Sequence, residues 1–244
     1  FKTNNYGYLK VIEYINNRNV HVKFVDTGYE TITRLDRIKE GNVKDRLSPS
    51  VRGVGILGDG VSKNKGKQTK EYQLWCGLLE RCFDEKFQKK HPTYKGCEVS
   101  DNFKYFPYFK DWCNEQIGFN FKDEKGKPFD LDKDILVKGN KLYSESTCLF
   151  VPREVNTLLT KNNMVRGELP VGVMYSKSGL KYVAQISMFK EIIRLGSFST
   201  AEEAFYTYKT AKELHIKEVA NKWIDKIDPR AYEALMNYQV EITD

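Results

Sequence analysis

Three aspartates alternate with other residues in the segment 129–135. Asp130, Asp132 and Asp134 stand at every second position, and on a β-strand every second side chain points to the same face. Carboxylates placed so close together repel one another unless a cation lies among them, and oxygen ligands suit a hard divalent ion. The spacing therefore indicates either a Mg²⁺ or Mn²⁺ site for hydrolytic chemistry or a solvated acidic strand.

Other metal sites are disfavoured by spacing. A calcium loop starting at Asp130 requires glycine at its sixth and glutamate at its twelfth position, where this chain has Ile135 and Lys141. The five cysteines form no CxxC pair, and the three histidines do not follow them at zinc-finger spacing. We therefore expect no structural zinc, and the odd number of cysteines favours reduced thiols in a cytoplasm.

A glycine-rich motif in the segment 53–58 matches GxGxxG. A dinucleotide site requires a strand before this motif and a helix that starts within it. Glycines, Ser62, Asn64 and lysines follow instead, and these are poor helix formers. We interpret residues 48–69 as a flexible basic linker.

Two amphipathic helices precede the aspartates. Trp75, Leu78, Leu79 and Cys82 recur at helical spacing, and a second helix over 103–116 places several aromatic residues on one side. Pro107 is compatible with the first turn of that second helix. Aromatic stripes of this kind form core far more often than ligand sites, so we assign these residues to the core.

The middle of the chain resembles a phage HNH homing-endonuclease family. The shared elements are Trp75, Leu79, Arg81-Cys82, the segment 94–99, the aromatic helix, the segments 131–134 and 139–148, and Val155-Asn156. The resemblance covers about ninety residues in the family's order. It implies a ββα-metal fold, in which a β-hairpin and a helix bind one divalent cation that contacts the scissile phosphate.

The resemblance also implies roles for single residues. Asp132 is the expected metal ligand of the hairpin, and Asn156 is the expected ligand from the helix. Lys133 stands where well-known members have the histidine that activates water, and Thr147 stands at the family's central asparagine. Lys133 is included among the candidate catalytic residues, although a protonated lysine is no base near neutral pH and would instead stabilise phosphate charge.

The segment 171–211 predicts three short strands and a helix. Tyr182, Ala184 and Ile186 are expected to face the helix because they alternate with polar or smaller residues. Ser199 and Glu202 predict a capping box at the helix start. The opposite side of the sheet is basic, and such a sheet can enter the major groove of DNA.

This segment resembles the APETALA2 type of DNA-binding domain, which also accompanies HNH nucleases in phages. The shared features are Gly172-Val173, Tyr182-x-Ala184-x-Ile186, Leu195-Gly196-x-Phe198 and Thr200-x-Glu202-Glu203-Ala204. Met174, Ser176 and Ser187 replace arginines that contact bases in the plant domains. The resemblance and the basic charge together give these expected DNA contacts: Lys177, Lys181, Gln185, Lys190 and Arg194. A solvated sheet face is the alternative.

A first module before residue 48 is predicted to be β-rich. Val20, Val22 and Phe24 alternate with polar residues, and the turn at Asp26-Thr27-Gly28 leads into another strand. A basic face on this sheet would touch phosphates or remain solvated; its members are Lys10, Lys23, Arg34 and Arg37. Lys23 and Arg34 are therefore additional candidate DNA contacts.

The charge distribution agrees with a polyanion as partner. The chain of 244 residues has a net charge of +7, with 13 basic and 7 acidic residues in 1–69 and 6 basic and 2 acidic residues in 161–198. Two basic regions could hold DNA at two points. The longest apolar runs span only a few residues, too short to cross a bilayer.

We therefore expect an α+β chain of several modules. A small basic β domain (1–47) and the linker (48–69) precede an HNH-like ββα-metal domain (70–160), followed by an APETALA2-like sheet and helix (168–215) and an acidic helical tail (216–244). The expected function is metal-dependent cleavage of double-stranded DNA by a cytoplasmic monomer. The alternatives are a non-cleaving DNA-binding regulator or inhibitor and a protein-binding module that does not contact nucleic acid.

Overall fold

A computed structural model of the protein describes residues 1–159, 169–188, 191–242 and 244. Two compact units are formed, one by Phe1–Glu115 with Lys141–Ser146 and the other by Gln116–Asn140 with Thr147–Asp244. Helices make up 34% and strands 27% of the structure, so the expected α+β class is confirmed. The predicted module 70–160 is divided between the two units.

The first unit begins with a three-stranded antiparallel sheet in the order β1-β2-β3. Its strands are Leu9–Asn16, Asn19–Phe24 and Glu30–Thr33, and helix α1 (Leu35–Lys39) follows. Val20, Val22 and Phe24 lie in one buried cluster with Leu9 and Ile38, because alternation directs them to the same face. Gly28 has a φ of 73°, which suits the turn between the second and third strands.

Residues 48–69 are ordered, which corrects the expectation of a flexible linker. They contain two short hairpins, β4 (Pro49–Val51) with β5 (Gly55–Ile56) and β6 (Lys63–Asn64) with β7 (Lys67–Gln68). The glycines allow this backbone to lie against large side chains. A Cβ atom at Gly55 would be 2.5 Å from Leu79 and 2.8 Å from Trp75, and one at Gly60 would be 2.5 Å from Phe106.

The helices of the first unit pack around an aromatic core. They are α2 (Lys70–Phe83), α3 (Glu85–Lys90), α4 (Asp101–Lys104) and α5 (Phe106–Glu115), with a 3-10 turn at Pro92–Tyr94. The expected second helix is thus divided after Lys104. The indole of Trp75 is fully buried and donates a hydrogen bond of 2.7 Å to the Phe103 carbonyl oxygen. Strands β8 (Glu98–Val99) and β10 (Leu142–Tyr143) pair in parallel.

The second unit contains a strand pair, a short helix, a three-stranded sheet and two further helices. The pair is β9 (Asp130–Asp132) with β11 (Leu149–Val151), followed by α6 (Arg153–Leu158). The antiparallel sheet is β12 (Val173–Ser176), β13 (Lys181–Met188) and β14 (Glu191–Phe198), and the helices are α7 (Ala201–Lys222) and α8 (Pro229–Met236).

Helix α7 covers one face of the three-stranded sheet. Ala184 and Ile186 are buried on β13, as expected, and the small Ala204 on the helix is fully buried. The helix begins one residue later than predicted. Its capping box joins Thr200 and Glu203, because the Thr200 hydroxyl accepts from the Glu203 amide at 3.2 Å. None of the helices in the described ranges is both long enough and apolar enough to cross a bilayer.

We predict that Gly55→Ala destabilises the first unit by about 1–3 kcal/mol, because the added methyl group overlaps Trp75 and Leu79. Urea unfolding followed by tryptophan fluorescence measures this effect. Gly77→Ala is the matched control, since nothing lies within 4 Å of a Cβ atom at this position inside α2. The control should raise stability by up to about 1 kcal/mol. Equal stability of both variants would contradict the close approach at Gly55.

Candidate functional site

The two central aspartates lie on a short strand beside a helix. In the β9–β11 pair, Asp130 is opposite Val151 and Asp132 is opposite Leu149. Leu131 lies between the aspartates and is 9% exposed, whereas both aspartates are half-buried. Pro152 ends β11, and α6 starts at the next residue. The chain thus brings two strands and a helix together.

The Asp132 carboxylate organises the turn that follows β9. Its Oδ1 atom accepts hydrogen bonds from the backbone amides of Asp134 and Ile135, at 2.7 and 2.8 Å. Burial raises the pKa of Asp132, and these two amide donors offset only part of that effect. Asp132 therefore both shapes the turn and places a partly desolvated carboxylate at the end of the strand.

Asn156 lies beside Asp130. The Nδ2 atom of Asn156 is 3.5 Å from Oδ2 of Asp130, and both side chains are half-buried. Helix α6 provides Asn156 and β9 provides Asp130, so residues separated by 26 positions meet at one point. The predicted ligands Asp130, Asp132 and Asn156 are therefore brought into one small region.

Asp134 does not join this group, which corrects the prediction of three carboxylates on one face. Strand β9 ends at Asp132, so the alternation of a strand does not extend to Asp134. Both carboxylate oxygens of Asp134 instead accept from Lys133 Nζ at 2.7 Å. This ion pair turns the Asp134 carboxylate toward Lys133, so we no longer count Asp134 among the candidate metal ligands.

Lys133 has a structural environment that differs from the one we expected. Its side chain is only 9% exposed, and Nζ donates to the Asn140 carbonyl oxygen at 2.6 Å as well as to Asp134. Asn140 returns a hydrogen bond of 2.8 Å from Nδ2 to the Lys133 carbonyl oxygen. Lys133 thus closes the loop 133–140, and this placement argues against the expected contact with a phosphate.

The remaining ligands fit a hard cation that retains water. In the described part of the chain, no group of three or more His, Cys, Asp or Glu side chains is arranged to hold a metal ion. Asp130, Asp132 and Asn156 instead offer two carboxylates and one amide oxygen. Mg²⁺ commonly binds proteins through one or two carboxylates and keeps several water molecules, so this smaller set is chemically suitable.

A partly buried contact that sequence reasoning missed holds α6 in place. Glu154 Oε2 accepts from Trp223 Nε1 at 2.8 Å and from Lys222 Nζ at 2.9 Å. Burial raises the pKa of Glu154, but the hydrogen bonds from Lys222 and Trp223 outweigh it and hold the pKa below its ordinary value. The ring of Trp223 meets Phe129, just before β9, edge to face at 5.7 Å.

The expected DNA contacts of the C-terminal sheet are partly exposed. Lys177, Lys181 and Arg194 are exposed, and the Arg194 guanidinium donates to the Ser197 hydroxyl. Gln185 is half-buried and pairs with Arg194 across the strands. Lys190 lies outside the described residues.

The side of this sheet away from α7 is less open than expected. Val183, which alternates with residues that face α7, is only 4% exposed. The basic side chains are therefore distributed along a sheet face that also contains a buried apolar position.

The expected basic face of the N-terminal sheet is partly neutralised, at Lys23 and Arg34. Lys23 Nζ is 2.8 Å from Glu30, which also contacts His21 at 3.1 Å, and Arg34 pairs with Asp36 at 2.6 Å. These ion pairs are exposed and contribute little to stability. They nevertheless reduce the positive charge that Lys23 and Arg34 were expected to present to a phosphate.

Comparison with known proteins adds no relative to this description. No family model matches the sequence, and neither the curated proteins nor the solved structures include a significant match.

We predict that Lys133→Met destabilises the second unit by about 1–3 kcal/mol, because the substitution leaves the Asn140 carbonyl oxygen and Asp134 without their buried donor. Urea unfolding is the measurement. Lys125→Met is the control, since Lys125 is exposed in the same unit and should tolerate the change. A Lys133→Met protein as stable as the control would contradict the structural role of this lysine.

Proposed function

We propose that this protein is a divalent-metal-dependent DNA endonuclease of the HNH homing type. The observation that carries the proposal is the distance of 3.5 Å between Asn156 Nδ2 on α6 and Asp130 Oδ2 on β9. Asp132 lies on the same strand as Asp130. Strand β9 and helix α6 thus present two carboxylates and an amide in one place. This arrangement supports the ββα-metal interpretation of the sequence.

The ligands would come from both the strand and the helix. Asp130 and Asp132 would bind the cation through carboxylate oxygens, and Asn156 through its amide oxygen. A bound Mg²⁺ or Mn²⁺ ion would supply Lewis-acid stabilisation of charge on the phosphate and the leaving oxygen. The two backbone amides that bind Asp132 Oδ1 orient this carboxylate before the substrate arrives, which reduces the cost of reorganisation.

The C-terminal sheet would bind double-stranded DNA through four side chains, those of Lys177, Lys181, Gln185 and Arg194. Lys and Arg can bind phosphates or guanine, and Gln can pair with adenine. We propose that the protein acts as a monomer in the cytoplasm of a bacterial host.

One observation favours a second candidate function. Lys133 occupies the position of the family's water-activating histidine, yet its ammonium is buried and paired with Asp134. It is therefore not placed to act as a general base. A DNA-binding regulator or inhibitor on a nuclease-like scaffold would need no such base. The other observations that support the endonuclease are equally compatible with this alternative.

We predict that supercoiled phage or host DNA is converted to nicked or linear product by the full chain with Mg²⁺ or Mn²⁺, and not with EDTA. Asp132→Asn should lower the rate by about 100-fold or more, because a carboxylate ligand is lost. The asparagine keeps an oxygen acceptor for the amides of Asp134 and Ile135, so the turn should persist. Asp225→Asn, at an exposed position in the same unit, is the control.

The outcomes separate the two candidates. Metal-dependent cleavage that is lost in Asp132→Asn, with DNA affinity retained, would support the endonuclease. Tight binding without strand breaks in either metal would favour the non-cleaving protein. Full cleavage by a metal-verified Asp132→Asn preparation would remove Asp132 from the site.

We also predict that Lys181→Ala and Arg194→Ala weaken DNA binding similarly on all sequences if they contact phosphates. Each should lower the slope of log affinity against log salt by about 1. Fluorescence anisotropy at several salt concentrations measures this slope. Lys217→Ala, on the exposed side of α7, should leave it unchanged. An unchanged slope in both sheet variants would contradict binding through this face.

A further inference from the structure

A cavity of about 570 Å³ lies within the second unit. Its described walls come from the end of α6, the start of β12, the facing part of β13, helix α7 and the C-terminal residues. The volume falls within the range of about 300–1,000 Å³ that is usual for small-molecule sites. None of the endonuclease residues proposed above, except Gln185, lines this cavity.

Most of the described wall is hydrocarbon. The apolar side chains include Leu158, Leu169, Val171, Val173, Ile186 and Val240. The ring of Tyr208 closes one side, directly against the backbone of Gly172. Gly172 has a φ of 74°, and a Cβ atom there would overlap the Tyr208 ring. The cavity is thus suited to an apolar molecule.

The C-terminal residues, for which the sequence indicated no function, build part of this wall. Lys209 Nζ donates to the Val240 carbonyl oxygen at 2.6 Å, and the Val240 amide donates to Glu213 at 2.9 Å. The Val171 amide donates to the Ile242 carbonyl oxygen at 3.3 Å. These bonds hold the C-terminal residues against α7 and against the segment that precedes β12.

A cationic side chain, that of Lys212, also lines the cavity. Lys212 projects from α7, and among the described residues no hydrogen bond or ion pair engages its ammonium group. Burial lowers the pKa of Lys212 because the charged form is desolvated. An ammonium group in such surroundings is unfavourable unless an anion compensates it.

Two carboxylates of the described residues near the cavity, those of Glu213 and Asp244, already have other partners. Glu213 forms an ion pair with Lys209 at 2.8 Å as well as its bond to Val240. Asp244 also lines the cavity, but its carboxylate accepts from Lys138 at 2.7 Å and from the Tyr238 hydroxyl at 3.1 Å. Glu213 and Asp244 thus have partners other than Lys212 among the described residues.

We propose that this cavity binds a small organic anion with an apolar body, whose anionic group pairs with Lys212 while its hydrocarbon part packs against Val173 and Ile186. A medium-chain carboxylate is the simplest molecule of this class. The site is separate from the metal ligands, and its existence does not depend on the endonuclease proposal.

Isothermal titration of the full chain with sodium octanoate tests the proposal, with 1-octanol as the uncharged probe. Octanoate should bind more tightly than octanol, and amide NMR shifts should map to residues 171–173 and 185–187. Lys212→Met should weaken octanoate binding by about tenfold or more, because a charge-assisted hydrogen bond is lost. Lys212→Arg should retain binding, and Lys217→Met is the matched control on the exposed side of α7.

Thermal unfolding distinguishes a lost site from a lost fold. Removal of an uncompensated, partly desolvated charge should leave the Tm of ligand-free Lys212→Met equal to or above that of the wild type. No binding of octanoate at millimolar concentration, equal affinities of Lys212→Met and the wild type, or NMR shifts remote from the cavity would each overturn the proposal.

Discussion

The second unit depends on the contacts of one indole ring, that of Trp223. Its Nε1 atom donates to Glu154 on α6, and its ring meets Phe129 immediately before β9. Helix α6 has only six residues, and helices so short are not stable without tertiary contacts. Asn156 lies two residues after Glu154, so the contact that holds α6 also determines where Asn156 meets Asp130.

Packing also constrains the first unit. Its large buried side chains leave room only for glycine in the backbone segment that lies against them. Gly55 and Gly60 lie against Trp75, Leu79 and Phe106. This close approach explains why a segment rich in glycine and lysine is ordered. In an isolated chain, the missing Cβ of glycine makes the backbone flexible. Beside large buried side chains, the same missing Cβ lets the backbone pack closely, so glycine content alone does not indicate flexibility.

Lys133 illustrates the difference between a position in a motif and a position in space. The motif around Lys133 resembles that of the HNH family and implies a catalytic position. In the structure, however, its ammonium group donates hydrogen bonds to Asp134 and to the Asn140 carbonyl oxygen. Asp134 also departs from its predicted role as a metal ligand, because strand β9 ends two residues before it. The proposed metal site consequently has fewer candidate ligands than the sequence predicted, and the proposed chemistry depends on Asp130, Asp132 and Asn156.

Local patterns in the sequence were sufficient to determine the α+β class, the alternating strand at Val20–Phe24, the apolar stripe of α2 and the order of strands and helix in the C-terminal sheet. These features follow from side-chain periodicity within a few residues. Only the tertiary structure decided that residues 48–69 are packed, that Asn156 meets Asp130, and that Lys212 lines a cavity closed by the end of the chain. Such contacts join residues far apart in sequence, and their geometry depends on burial and partner choice, which no local pattern encodes.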